Sequence, residues 1–505
     1  MQIDRRAMLL LVPFVVSPVL AGAEEQNLPL LARFWASLLA CLALGIGLLF
    51  LAAPRAEALP SFAAQTGQPC TACHIGGFGP QLTPLGTAFK IGGYTQRGGE
   101  GWQSYFPFSA MVETSFNHTG AGVPTNTAPY GPNNNFSLDQ VSGFLAGGIG
   151  EHTGGFVQFT YSNVSNASNL DNTDLRPYTT TFDLGGTELR IGTTVNNNPT
   201  VQDPYNSTYA WGYPYIASKL APTPAASPVL ASGFNNNSIG YTVYAWYDHA
   251  LYLEAGAYTT PSAWALARFG DDLGAGAIQG AAPYVRVAYQ WLWNNQAAHI
   301  GGTFMQANVN PQLVDQTDPT GLTLIPFKSS NMNGQDRYTD FSFDGGYQWL
   351  GDGTHIVTLQ GIYTHENQVL NASSAGTGFG PNYSLNQFRM DASYWYQNTY
   401  GVTFAWQTTW GPANPILYPG VDATGAPIPI TGSANNKPNN NAFIIEADWV
   451  PFGKQDSWGS PWANLKLGIQ YTIYTQFNGA NKNFDGFGRN ASDNNTLFLF
   501  AWMAF

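Results

Sequence analysis

Charge, cysteine and long apolar runs are all scarce in this 505-residue chain. Lys and Arg number 19 against 31 Asp and Glu, so 10% of residues are charged and the formal net charge is −12. That sign disfavours nucleic acid as a partner, because phosphate binding needs clustered cations. After Ala58 no stretch approaches the ~20 unbroken apolar residues that a membrane helix requires. Cysteine occurs at only three positions, Cys41, Cys70 and Cys73, and between Leu59 and Gln103 there is no methionine and no histidine besides His74. Against these absences stand 14% aromatic residues and 56 glycines. An aromatic-rich, weakly charged chain without helical spans reads as a transmembrane β-barrel, with a large secreted β-sandwich or β-helix as the alternative.

The N-terminus sets the compartment. Leu30 to Ala53 is almost wholly apolar, with Arg33 near its start, and Ala56-Glu57-Ala58 follows as a small-x-small cleavage pattern. Residues 1–58 are therefore expected to be a targeting segment cut after Ala58, which removes Cys41. The earlier apolar stretch from Met8 to Ala21 reads as an extension from a start codon placed too far upstream, with a membrane anchor as the alternative. Four acidic and four basic residues leave with the segment, so the charge of −12 stays on the mature chain.

The remaining cysteines lie in Cys70-Thr71-Ala72-Cys73-His74, the attachment spacing for a c-type haem. Two thiols three positions apart add to the two vinyl groups, and the adjacent imidazole reaches the iron as its proximal ligand. A disulfide or a thioredoxin-like pair would also explain Cys-x-x-Cys, but neither needs His74, and zinc would need more ligands nearby. Haem attachment of this kind takes place outside the cytoplasmic membrane of bacteria, which agrees with export.

Alternation of apolar and polar residues predicts sixteen strands, at 104–117, 138–149, 155–163, 175–184, 187–196, 238–247, 250–259, 282–294, 297–308, 337–350, 354–366, 385–396, 399–410, 442–451, 463–474 and 495–505. Their connections sort into short turns and long Asn/Gly/Pro-rich loops such as 118–137, 197–237 and 411–441. Tight periplasmic turns with long extracellular loops are the pattern of a bacterial outer-membrane barrel, and an even strand count brings both ends to the periplasmic side. In 463–474, Leu465, Leu467, Ile469, Tyr471 and Ile473 share the lipid face, while Lys466, Gln470 and Thr472 share the lumen face. Trp291, Trp293, Tyr394, Tyr396, Trp449 and Trp502 suit the bilayer interfaces. In the last strand Leu497, Leu499, Ala501, Met503 and Phe505 form the outward set, which turns Phe498, Phe500 and Trp502 inward. Three large aromatic rings inside a polar lumen are unexplained by the alternation alone. The expected organisation is thus 1–58 targeting, 59–103 monohaem cytochrome segment and 104–505 porin-like antiparallel barrel. About forty-five residues are too few for an independent haem fold, so the segment is expected inside the barrel or at its periplasmic mouth.

The run from Leu59 to His74, LPSFAAQTGQPCTACH, followed by Leu82-Thr83-Pro84-Leu85-Gly86 and Phe89-Lys90-Ile91-Gly92-Gly93-Tyr94, resembles the fused monohaem cytochrome-porins of iron-oxidising bacteria. In sequence words the resemblance covers about 59–95, and the barrel layout extends it over the mature chain. Ala64 departs from it, standing where the family carries a basic residue. The resemblance implies an outer-membrane conduit that oxidises extracellular Fe(II) through a single covalent haem and passes electrons to a periplasmic carrier, such as a soluble cytochrome or a copper protein. The same architecture with a different redox donor or acceptor, and a diffusion porin with a structural or sensory haem, are the alternatives.

The sixth iron ligand is open, and a pentacoordinate haem is one outcome. On the first strand Phe106, Phe108, Ala110, Val112 and Phe116 face out, which turns Met111 and Glu113 inward and makes Met111 the leading candidate. Its alternative role is lumen packing; His118, His299 and Met305 are further candidates, and His152 and His249 at turns read as solvated. Arg190, Glu254, Arg286, Asp340, Asp344, Arg389, Asp391, Glu446, Asp448 and Lys466 are expected to face the lumen as a satisfied polar interior, with no tight carboxylate cluster at metal-ligand spacing.

Overall fold

The structure is a computed structural model that describes residues 60–505 apart from 125–128, 272–275, 315–323, 327–333, 423–424, 455–456 and 458–462. The targeting segment, its cleavage site after Ala58 and Cys41 lie outside the described residues.

The strands are β1 (Phe108–Thr119), β2 (Asn135–Ile149), β3 (Thr153–Ser162), β4 (Ala167–Arg176), β5 (Thr179–Asp183), β6 (Glu188–Asn196), β7 (Ile239–Tyr247), β8 (Leu251–Thr259), β9 (Gly276–Ile278), β10 (Ala282–Trp293), β11 (Gln296–Val314), β12 (Leu324–Pro326), β13 (Asp336–Trp349), β14 (His355–Leu370), β15 (Asn382–Tyr396), β16 (Tyr400–Trp410), β17 (Asn440–Trp449), β18 (Asn464–Gln476) and β19 (Thr496–Ala504). Each wall strand pairs antiparallel with its neighbours, and β19 pairs back onto β1 with Met111 opposite Ala504, which closes the sheet into a barrel. β9 and β12 are three-residue strands added to the far end of β11. β4 and β5 are two halves of one wall strand, so the barrel has sixteen walls, as the alternation predicts.

One boundary differs strongly from the sequence reading. The fourth wall begins at Ala167 rather than 175, because Ala167–Asp174 is polar on both faces and gives no alternation. It breaks at Pro177, which has no amide hydrogen to donate to the ladder. The first strand starts at Phe108 rather than 104, after a short helical turn at Trp102–Tyr105.

Tight hairpins close one end of the barrel. Asp248 and His249, Asn294 and Asn295, and Gln397 and Asn398 each place two consecutive residues at positive φ, the two-residue turn whose twist matches the flanking strands. On the outer face Phe343, Ile300 and Val402 are more than half exposed, and Trp291, Trp293, Tyr394, Tyr396 and Trp449 also point outward. An apolar exterior around a polar interior inverts the pattern of a water-soluble protein and fits a lipid surround. Met111, Glu113, Lys466, Gln470 and Thr472 face inward, as expected.

The connection 197–237, expected as an extracellular loop, instead folds down through the lumen. Residues 200–210 are buried, and Asn206 Nδ2 donates to the Pro80 carbonyl at 2.7 Å. Arg286 ties the loop to the wall, 3.0 Å from Asp203 and 2.8 Å from Asp344. Tyr209 and Tyr215 both donate to Asp391. The loop also explains the inward aromatics of β19: Phe498 and Phe500 pack on its Ile216, a local apolar core inside the barrel. Trp502 faces this interior too, so it is not part of the interfacial belt.

Candidate functional site

Residues 60–105 are held against the end of the barrel that carries the tight hairpins. Three short helices form there: α1 (Pro60–Thr66), α2 (Cys70–Cys73) and α3 (Pro84–Ile91). Thr83 caps α3 by accepting from the Gly86 amide, and Pro84 fills the first helical position, where a missing amide hydrogen costs nothing. Gly86 lets α3 approach the Cys73 carbonyl closely; a Cβ there would collide with it.

α2 is a single turn, and its geometry follows from the motif. Pro69 enters extended, the His74 amide returns to the Cys70 carbonyl at 2.8 Å, and His74 then leaves in extended backbone. The two cysteines are thereby presented on one turn, with Cys70 buried and Cys73 half-buried. The following loop is closed by pairing of His74 with Leu82 and by the Ile75 amide on the Gln81 carbonyl at 3.0 Å. Gly76 sits at φ 71° against the Trp395 ring, where any side chain would clash. Ile75 joins Ile356, Trp395 and Val450 in a core shared with the wall.

The motif opens into a cavity of about 840 Å³ inside the barrel, lined by Cys70, Cys73, His74, Phe89, Met111 and Trp502 among others. That size lies within the ~300–1,000 Å³ typical of cofactor sites. The exposed part of His74 faces this cavity rather than bulk water. One ring nitrogen, Nδ1 as placed, is enclosed with no hydrogen-bond partner, while the ring engages the Gly79 backbone. Burial lowers the imidazole to about 4, so it is neutral at pH 7 and able to donate a lone pair. Burial likewise pushes the Cys73 thiol up to about 11. Two thiols on one turn, a neutral imidazole with an orphaned nitrogen and an apolar-walled cavity fit a covalently attached haem.

The structure separates the sixth-ligand candidates. Met111 lines the cavity with His74, although its sulfur accepts from Trp502 Nε1 at 2.7 Å. His118 points outward onto Asn134. His299 stacks on Tyr205 with ring centroids 4.4 Å apart, and Met305 packs with Phe234. Neither lines the cavity. His152 and His249 are exposed at turns.

Several residues that position the segment were not visible as such in the sequence. Lys90 Nζ donates to the Val201 and Asp203 carbonyls and to Asn206 Oδ1, each at 2.7 Å, fastening α3 to the lumen loop. Burial, the largest influence on this amine, lowers it to about 8. Tyr94 donates to Asp174, which also takes the buried Arg176 at 2.8 Å. The expected inward charges are all found inside: Arg286, Glu254, Asp340, Asp344, Asp391, Glu446, Asp448 and Lys466 are buried, and Arg190 and Arg389 are half-buried.

No family model and no curated protein matches the sequence. Among solved structures, OprB of Pseudomonas putida is 12% identical, covering 79% of this chain and 93% of its own, at a TM-score of 0.44. OmpT of Vibrio cholerae, an outer membrane protein, is 9% identical over 79% and 96% at 0.40. The outer membrane channel DcaP of Acinetobacter baumannii is 11% identical over 79% and 96% at 0.39.

Proposed function

We propose that the chain is an outer-membrane electron-transfer protein that oxidises extracellular Fe(II) and passes electrons to a periplasmic carrier, such as a soluble cytochrome or a copper protein. The observation that carries this reading is the opening of the Cys70–His74 turn into a large cavity enclosed by the barrel. Cys70 and Cys73 would hold haem c covalently and His74 would be its proximal ligand, supplying a one-electron centre within an otherwise insulating layer. Each ferrous ion loses one electron and becomes ferric; the carrier gains that electron.

This chain's own residues prepare the site. Phe62, Phe89 and Tyr94 form an aromatic wall that excludes water, with Phe62 and Tyr94 stacked at 5.2 Å. Gln65 fixes the segment to the wall by donating to the Tyr94 carbonyl and accepting from the Gly148 amide, both at 2.7 Å. Met111, which lines the same cavity, would be the second residue to hold the iron, through its sulfur, and methionine ligation raises the potential, which suits so weak a reductant as ferrous iron. In this reading the tight hairpins face the periplasm and the long loops face outward. The lumen loop narrows the space through which solutes would pass in the diffusion-porin alternative.

The test uses the purified, haem-loaded full chain. Anaerobic ferrous iron should reduce it, seen as growth of the haem α-band, and His74→Ala should abolish the normal haem spectrum. A haem that ferrous iron leaves oxidised, together with open-channel conductance, would favour the porin alternative. Reduction by another donor but not by iron would favour a different redox partner.

A further inference from the structure

We infer that the barrel cavity holds an anion-binding site on the β15–β17 wall, centred on Arg389 and suited to a small oxyanion, a carboxylate or a phosphate. The observation behind it is a cation without a counter-charge. Arg176, Arg190 and Arg286 each meet a carboxylate within 3.0 Å. Arg389 lines the cavity, yet among the described residues no carboxylate pairs with it. Its Nε is enclosed without a hydrogen-bond partner. A charged donor buried without an acceptor is costly, and an anion from solution would supply the missing bond.

The groups around the guanidinium hold it without neutralising it. Its carbon lies 5.8 Å from the ring centre of Tyr209 and 5.3 Å from that of Tyr213. Ring faces attract the charge but leave the five N–H donors to be met elsewhere. Both rings are fixed by their own hydroxyls, Tyr209 donating to Asp391 and Tyr213 to the Met390 and Trp406 carbonyls. Asp391, two residues along the strand, is committed to other donors. Besides Tyr209 its oxygens take Tyr215 at 3.2 Å and Gln81 at 3.4 Å. The carboxylates that line the cavity, Glu113 and Asp171, stand on β1 and β4, with β16 to β19 between β15 and β1.

The surrounding wall is polar and uncharged. Gln407 lies opposite Arg389 on β16, Thr409 opposite Gln387, and Asn440 of β17 opposite Thr409. All four line the cavity with Arg389. Amides and a hydroxyl can donate to the oxygens of a bound anion without adding a charge that repels it. The guanidinium fork can take two of those oxygens together. Thr409 and Asn440 flank the long connection 411–439, which sets the site toward the long-loop end of the barrel. Trp395, against which Gly76 packs, is six residues further along β15, roughly 20 Å at the rise of a strand. The site is therefore separate from the Cys70–His74 turn, and the inference does not depend on the electron-transfer reading.

The test titrates inorganic phosphate and, separately, succinate into the purified, haem-loaded full chain, with binding read by isothermal titration calorimetry. Wild type should bind at least one of them, and the tighter of the two names the class of the natural occupant. Arg389→Met, which keeps an apolar stem between the two rings, should weaken binding about tenfold. Lys219→Ala removes a lumen-loop cation that lines the same cavity and should change the affinity by less than about twofold. Gln407→Glu places a carboxylate opposite Arg389 and should abolish binding of both anions without lowering the unfolding temperature, a combination that misfolding cannot produce. No binding of either anion to wild type, equal binding by wild type and Arg389→Met, or loss of binding in Lys219→Ala instead would overturn the site. Anion binding in the predicted order, with a haem that ferrous iron leaves oxidised, would uphold the site and sink the electron-transfer reading.

Discussion

Single side chains far apart in sequence decide how the segment 60–105 is seated against the barrel. Lys90 bridges α3 to the lumen loop through three hydrogen bonds, and a buried amine cannot lose its acceptors cheaply. Lys90→Met leaves those oxygens unpaired and should cost about 2–3 kcal/mol, read as a lower urea midpoint. Its pH signature has a definite sign. With the folded value at about 8, below the ordinary 10.5, the unfolded chain binds this proton more tightly in that window. Stability from this group is therefore present above 10.5 and is lost as pH falls through 8, and the variant should lack that slope. Gly76 is the other sensitive position: at φ 71° and against Trp395, Gly76→Ala should cost about 2 kcal/mol, measured the same way. The Cys70–His74 turn was legible because its chemistry is local and its spacing is fixed. Lys90, Trp502 and Arg176 were not, because their partners lie on other walls or on the loop, and nothing in their immediate neighbours signals a contact so distant.

At the scale of elements, period-two alternation revealed the wall strands wherever one face meets lipid and the other the lumen. It failed at Ala167–Asp174, where both faces are polar, and there the strand exists because β3 offers a ladder to complete. It also left Phe498 and Phe500 without a reason to point inward, since the partner that buries them comes from a loop. Asn, Pro and Gly made 197–237 look like surface, but Tyr205, Tyr209, Trp211, Tyr213 and Tyr215 within eleven residues were a signal of burial. Aromatic rings at that density need a core to pack into. Replacing 201–234 by a short Gly-Ser linker should leave the barrel folded and open its lumen, because sixteen walls enclose an aqueous channel when nothing fills it. Planar-bilayer recordings should then show porin-like conductance in the variant and little in the full chain. Equal conductance in both would mean that the loop does not seal the barrel.

For the molecule as a whole, a segment too short to build its own core borrows one from the barrel wall. Met111, Phe144 and Trp502 of the wall, together with the lumen loop, complete what α1, α2 and α3 begin. In the proposed reading the barrel would house a cofactor as well as span the membrane, and the cavity within it extends toward both ends. The measurement that tests the central claim most directly uses proteoliposomes that carry the haem-loaded chain and enclose oxidised cytochrome c, with ferrous iron added only outside. The account predicts reduction of the enclosed cytochrome, dependent on His74 and absent from protein-free vesicles. No reduction inside, from vesicles whose protein carries a full complement of haem, would contradict it.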